Sequence, residues 1–273
     1  MKAERARFGR FARDNARFVL IRVAQALGST PREAGAAMAV SHTDSFGTIG
    51  GGQLEFRAIA QARSLLNDPD AHDHIDLPLG PDIAQCCGGR VRLSLSVVDT
   101  GRRDGRAEAD RFEKELAERE RTAPHVYIFG AGHVGRALAE ALAPLPLRVI
   151  LIETRPAMLA QLPADVEGRA TALPETDVRS APPGAAFIIL THDHGLDFLI
   201  ADAALARKDA RYVGMIGSKT KRATYEHHHR REGGDPSALL RLTCPIGGKD
   251  VDDKRPAVIA ALSAAEIVRA ILT

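Results

Sequence analysis

The sequence predicts an α/β protein in two parts, a C-terminal parallel sheet domain preceded by a smaller mixed α/β domain. Three observations predict it. From Pro124 onward, strand-sized apolar runs alternate with helix-length segments, the pattern of a parallel sheet covered on both faces. Gly130-Ala131-Gly132-His133-Val134-Gly135 ends the first of those strands and opens the first helix, and Glu153 ends the next strand about 20 residues on, which makes the C-terminal part Rossmann-like. Upstream, apolar strand-like runs are interrupted by one convincing helix.

Taken in chain order, residues 1–17 are arginine-rich but carry Glu4 and Asp14 and lack an apolar signal core. They read as a basic amphipathic lead-in with Phe8, Phe11 and Phe18 partly packed; a transit segment is the weaker reading. Residues 18–26, 36–40, 75–79 and 91–98 read as strands. Residues 53–66 read as a helix, because Leu54, Ala58, Ala62 and Leu65 or Leu66 form one apolar stripe. The polar segment 99–106 holds two glycines and marks a boundary. Residues 108–121 are heavily charged, with Phe112 and Leu116 four apart, as in a solvated helix docked by one narrow edge. The expected divisions are therefore 1–104, a charged linker helix over 105–123, and 124–273. Within the last, strands are expected at 125–129, 148–153, 185–190 and 211–216, and helices at 134–142, 196–206 and 255–272.

Composition narrows the class of function. Lysine plus arginine (37) nearly balance aspartate plus glutamate (35), which gives no electrostatic case for nucleic acid or a membrane surface. The longest apolar runs are strand-sized. Three cysteines, two of them adjacent, make no disulfide framework and point to a reducing compartment, so the expectation is a soluble cytoplasmic protein.

The candidate sites are glycine turns. In Gly47-Thr48-Ile49-Gly50-Gly51-Gly52-Gln53-Leu54-Glu55, three glycines bare the backbone at the start of a helix, where unpaired N–H groups favour an anion. Gly130, Gly132, His133 and Gly135, with Glu153, make the dinucleotide-type turn; the same glycines also serve close helix–sheet packing, and Glu153 reads equally as an exposed strand end. Thr191-His192-Asp193-His194 follows a strand, at the mouth where open sheets hold ligands. Residues 214–221 resemble a phosphate-gripping loop in chemistry, although Ser218 as a plain helix cap explains them more simply. Cys86 and Cys87 precede Gly88-Gly89 and cannot chelate one zinc ion as strand neighbours. A single thiolate there suits a soft metal or a transferable sulfur, and a small buried apolar role weighs about the same. No catalytic residue and no metal-ligand set are expected.

These segments together carry a resemblance. Gly28-Ser29-Thr30-Pro31-Arg32 with Gly35 and Met38, then 47–55, 85–89, 129–135, 191–197, 214–219 and 245–247, occur in the order found in the xanthine dehydrogenase accessory protein family, XdhC, with its CoxI-type relatives. Gly50-Gly51-Gly52-Gln53-Leu54-Glu55 and the double cysteine look like the XdhC branch. Gly247-Gly248-Lys249-Asp250 departs from the run common among relatives. The resemblance implies a chaperone that binds the molybdenum cofactor, holds it during sulfuration and delivers it to apo xanthine dehydrogenase, with no turnover of a small substrate. A cysteine desulfurase is then a second expected partner, and a homodimer is a reasonable state.

In that reading the cofactor lies in a cleft between the domains. Gly50, Gly51 and Gly52 meet the pterin or its phosphate, and Gln53 and Glu55 bond its amide and amino edges. Glu55 serves equally as the electrostatic complement of the helix N-terminus. Cys86 or Cys87 meets the molybdenum or its sulfur, and Gly130, Gly132, Gly135, His192 and Asp193 form the opposing wall. Two alternatives stay open: an NAD(P)-dependent oxidoreductase centred on Glu153, with His133, His192 or His194 as acid–base group, and a non-catalytic nucleotide-binding module.

Overall fold

A computed structural model describes residues 2–68, 70–80, 88–248 and 251–273. It divides into Glu4–Glu118 and Arg119–Thr273.

The N-terminal unit is built on five antiparallel strands: β1 (Arg17–Leu27), β2 (Ala37–Val40), β3 (Ser45–Gly47), β4 (His72–Pro78) and β5 (Arg90–Asp99), in the order β3-β2-β1-β5-β4. Strand side chains alternate between faces. Val19, Ile21 and Val23 of β1 therefore join Leu93 and Leu95 of β5 on one face, under Leu54, Ala58 and Ala62 of helix α2 (Gly52–Leu65). Phe18 and Leu20 face the other way. There they meet Phe8 and Phe11 of helix α1 (Lys2–Asp14) and Ala109, Phe112 and Leu116 of helix α3 (Arg103–Thr122).

One expectation changes here. Phe8, Phe11 and Phe18 are buried rather than partly packed, and the Phe8 ring lies 4.8 Å from Phe112 and 5.3 Å from Phe46 between ring centres. The charged helix docks by the narrow edge expected of it: Ala109, Phe112 and Leu116 are buried, Arg22 of β1 donates to Glu115 at 2.6 Å beside them, and the structural division falls inside α3.

The C-terminal unit has six parallel strands: β6 (His125–Phe129), β7 (Arg148–Glu153), β8 (Val166–Ala170), β9 (Ala186–Ile189), β10 (Tyr212–Met215) and β11 (Leu242–Thr243). Their order β8-β7-β6-β9-β10-β11 is the doubly wound 3-2-1-4-5-6 arrangement, so the direction of winding reverses between β6 and β9. Val126, Ile128, Val149 and Leu151 face helices α4 (His133–Leu142) and α8 (Pro256–Ile271). Tyr127, Phe129, Ile150 and Ile152 face α5 (Pro174–Ser180), α6 (His194–Ala206) and α7 (Lys219–Arg231). Burial on both faces explains the continuous apolar runs. Strand β8 lacks such a run because its Glu167 and Arg169 form ion pairs at the sheet edge while Val166 alone is buried. Among the described residues no helix is long and apolar enough to cross a membrane.

Candidate functional site

The three glycines of the Rossmann turn do different work. A Cβ on Gly130 would stand 2.4 Å from the Leu190 carbonyl oxygen, and one on Gly135 only 1.9 Å from the Gly130 carbonyl oxygen. Both positions are therefore fixed by packing, Gly130 also by its φ of 112°. Gly132 differs: nothing lies within 4 Å of its Cβ position, and it begins α4 with no side-chain cap. It is the one glycine of the three that leaves open backbone for a ligand.

Glu153 stands where a ribose-binding acid belongs, but its carboxylate is committed internally. Oε2 accepts from the Ala131 N–H at 2.9 Å and from Arg155 Nη2 at 3.1 Å; Oε1 accepts from the Thr154 and Arg155 N–H groups and from Arg155 Nε at 3.0 Å. Only 4 % of the residue is exposed. Burial pushes its pKa up, but the bonds from Arg155 and from the Ala131 and Arg155 backbone outweigh that and hold it at about 2. Glu153 is neither an exposed strand end nor a free acceptor; it straps the glycine turn to the end of β7.

At the mouth, between the ends of β6 and β9, His192 is exposed and lines a crevice of about 10 Å³ with Gly130, Glu153, Thr154, Pro174 and Thr191. Asp193 is also exposed, but it caps α6, its Oδ1 accepting from the Leu196 N–H at 3.0 Å. Those backbone bonds, from Leu196 and then Gly195, lower its pKa. His133 is exposed on the first turn of α4. The deeper group is Asp197, which is fully buried. It accepts from the Thr191 N–H at 3.0 Å and the Thr191 hydroxyl at 2.7 Å, and pairs with the Lys221 ammonium. Lys221 is thus spent on an internal partner, and Ser218 caps α7 by accepting from the Lys221 N–H at 3.3 Å. The 214–221 segment thus runs from the end of β10 into α7, with Ser218 as the helix cap.

In the N-terminal unit, the resemblance-bearing glycine segments meet at one rim. A Cβ on Gly50 would press on Pro31 at 2.7 Å, and one on Gly89 would stand 2.3 Å from the Ser29 carbonyl oxygen. Loop 28–32, turn 50–52 and the Gly88–Gly89 step into β5 therefore pack closely. Cys86 and Cys87 lie outside the described residues. The turn itself already holds an anion. Glu55 Oε2 accepts from the Thr48 hydroxyl at 2.5 Å, the Ile49 N–H at 3.1 Å and the Gly51 N–H at 3.0 Å, while the Gly50 N–H goes to Thr48 Oγ1 at 3.1 Å. Gly52 and Gln53 are exposed on the first turn of α2.

A family model described as the XdhC Rossmann domain matches residues 126–267, more than half of the chain, and one described as the XdhC and CoxI family matches residues 11–73. The chain belongs to the XdhC family. It is 24% identical over 267 residues to the uncharacterized protein YqeB of Escherichia coli (strain K12), covering 93% of this chain and 44% of that relative, so it spans less than half of the relative's length. It shares its fold with a crystal structure described as a xanthine dehydrogenase from Bacillus halodurans, at a TM-score of 0.77 and 18% identity, over 98% of this chain and 96% of that one.

Two features of this XdhC-family chain lie away from those turns. A cavity of about 620 Å³ sits at the far ends of α6 and α7, lined by Asp202, Lys208, His229, Glu232 and Arg241 among others. Its buried His229 has no nitrogen to offer: Nδ1 lies 2.6 Å from Asp202 Oδ1 and Nε2 lies 3.2 Å from the Asp235 carbonyl oxygen. His229 is a strut between α6, α7 and the turn after them. Cys244, the third cysteine, is buried, and burial raises its pKa, which leaves it an unreactive core group. Among the described residues no group of three or more His, Cys, Asp or Glu is placed to hold a metal ion. Sequence reasoning missed Asp197 and Lys221 as a pair, because they stand on different helices 24 residues apart.

Proposed function

We propose that this XdhC-family chain is an accessory protein that binds the molybdenum cofactor as cargo, holds it during sulfuration and hands it to apo xanthine dehydrogenase. The observation that carries the reading is the close packing of loop 28–32, turn 50–52 and Gly88–Gly89 at one rim, with Cys86 and Cys87 directly preceding Gly88 in sequence. That rim offers bare backbone, an amide at Gln53 and a carboxylate at Glu55 to a flat ring, and Cys86 or Cys87 would meet the soft metal–sulfur end. Gly132, with its open Cβ side and uncapped helix, is the point where the Rossmann unit would take a phosphate. His133 and His192, both exposed, flank that backbone.

One observation weighs against a nicotinamide enzyme: both carboxylate oxygens of Glu153 are filled by the protein's own donors. A carrier also needs release. Docking to the client must lower affinity for the cargo, a coupling between two binding events. A cysteine desulfurase is the proposed sulfur source.

The test is retention. The purified full chain is mixed with molybdenum cofactor without oxygen, desalted, and assayed for molybdenum and pterin. The expected result is near-stoichiometric retention, lost when Cys86 and Cys87 are both changed to Ser or when Gly50, Gly51 and Gly52 are changed to Ala. The glycine variant is checked by melting temperature, since all three residues have positive φ. Retention of NAD(H) with no cofactor held would overturn the reading.

A further inference from the structure

We propose that the cavity at the N-terminal ends of β6, β9 and β10 binds a small organic anion, its charged oxygens on Arg211 and its flat apolar body on a wall of prolines. The site is independent of the carrier reading. It lies apart from the Rossmann turn, because Gly132 follows the opposite end of β6.

The cavity measures about 450 Å³, a size that suits a small ligand, and places Arg121, His125 and Arg211 against Pro124, Pro182 and Pro183. Among the described residues no carboxylate lines it. The larger cavity at the far ends of α6 and α7 differs, since Asp202 and Glu232 line it together with Lys208 and Arg241. The acceptors around the smaller cavity are also spent. The Pro124 carbonyl takes the Arg148 N–H at 2.9 Å, the Pro182 carbonyl takes Arg207 Nη2 at 3.3 Å, and the Ile271 carbonyl takes Arg211 Nη1 at 3.2 Å. Donors remain. A guanidinium carries five N–H donors, and the bond to Ile271 is the one hydrogen bond that the Arg211 side chain makes among the described residues. That bond holds the fork in place and leaves Nε and Nη2 to an incoming carboxylate or phosphate, the groups that a guanidinium fork matches. The rest of the wall is stiff and apolar. Proline fixes φ and presents ring carbons with no N–H. The half-buried His125 ring is held in orientation by stacking on Tyr127, 6.3 Å between ring centres. Burial, and then Arg148, lower the His125 pKa, so at neutral pH it is an uncharged flat face beside the two guanidinium groups. Surplus donors, spent acceptors and an apolar wall together suit an anionic group on a flat body.

The experiment uses 2-naphthoate, a fluorescent aromatic carboxylate, and 2-naphthol, its uncharged counterpart, each with the full chain at neutral pH. Binding is read by fluorescence anisotropy. The chain contains no tryptophan, so the probe's emission stands clear of the protein's. Naphthoate should bind saturably, and naphthol about tenfold more weakly, the scale of hydrogen bonds to a charged group. Arg211→Gln should weaken naphthoate about tenfold as well. That change also alters the bond to Ile271, so its fold is checked by melting temperature. Arg121→Gln, at an exposed side chain, repeats the test away from α8, with an expected loss of about threefold. Inorganic phosphate at the same concentration should leave the probe bound, because the proline wall gives it no apolar surface to bury. Any of four results overturns the inference: no saturable binding up to millimolar naphthoate, equal binding of naphthol, unchanged affinity in either variant, or full displacement by phosphate.

Discussion

The two glycine turns use one device to different ends. Each seats a carboxylate on backbone N–H groups, Glu55 on Ile49 and Gly51 in the N-terminal unit, Glu153 on Ala131 in the Rossmann unit. Glu153 comes from the neighbouring strand, is almost wholly buried, and is neutralised by Arg155. Glu55 comes from the helix that the turn itself opens, is partly exposed, and has no cation partner among the described residues. The first arrangement closes a turn for good. The second fills the anion place while leaving one oxygen and the bare backbone facing solvent. A glycine motif therefore marks where backbone comes close to something, and only the surrounding donors say whether that something is protein or ligand.

The sharpest way to break this contrast is within the Rossmann turn. Gly135→Ala would drive a methyl group to 1.9 Å from the Gly130 carbonyl oxygen, a backbone atom that cannot step aside. The expected loss is about 3 kcal/mol or more in urea unfolding of the full chain. Gly132→Ala, with open space and a φ of −69°, should cost under about 1 kcal/mol, the scale of an N-cap preference. Equal losses would mean that the two glycines are not divided between packing and access.

A smaller effect is expected from acid. The Glu153 pKa falls from an ordinary 4.5 to about 2 in the folded chain. A carboxylate depressed on folding adds stability that is complete above its unfolded pKa and is lost as pH falls through the folded value. The window is therefore about pH 4.5 down to about pH 2, and the contribution at most roughly 3 kcal/mol. Melting temperatures of wild type and Glu153→Gln should differ most at neutral pH and converge toward the acid end. A constant difference would show that the charge on Glu153 contributes nothing.

What was legible in the sequence follows from the same physics. The succession β6, turn, α4, β7 could be read because strands buried on both faces leave unbroken apolar runs and because glycine spacing answers to backbone geometry. Helix α2 could be read from its stripe of Leu54, Ala58 and Ala62, all of which are buried. Edge strands β3 and β11 were too short to show a period, and α1 and α5 hid their buried faces among charges. The pairing of Asp197 with Lys221 joins residues on different helices, and nothing local distinguishes such a pair from two solvated side chains. Glu153 was found by spacing, but its role was open because the Ala131 N–H that it holds lies 22 residues away.

The least destabilising test is the most discriminating for the N-terminal turn. Glu55→Ala releases the Ile49 and Gly51 N–H groups and the Thr48 hydroxyl, all close enough to solvent for water to replace the lost bonds in part, so the cost should be about 1 kcal/mol. The variant then has what wild type lacks, an empty anion place at the positive end of a helix. Inorganic phosphate should raise its melting temperature and leave wild type unchanged. At ten times its dissociation constant the gain would be about 1.4 kcal/mol, enough to recover the stability lost with the carboxylate. If phosphate instead stabilises wild type and the variant alike, it binds elsewhere and Glu55 is not what keeps anions from this turn. If neither responds, the turn has no anion place to fill, and what its glycines serve is the close approach of Gly50 to Pro31.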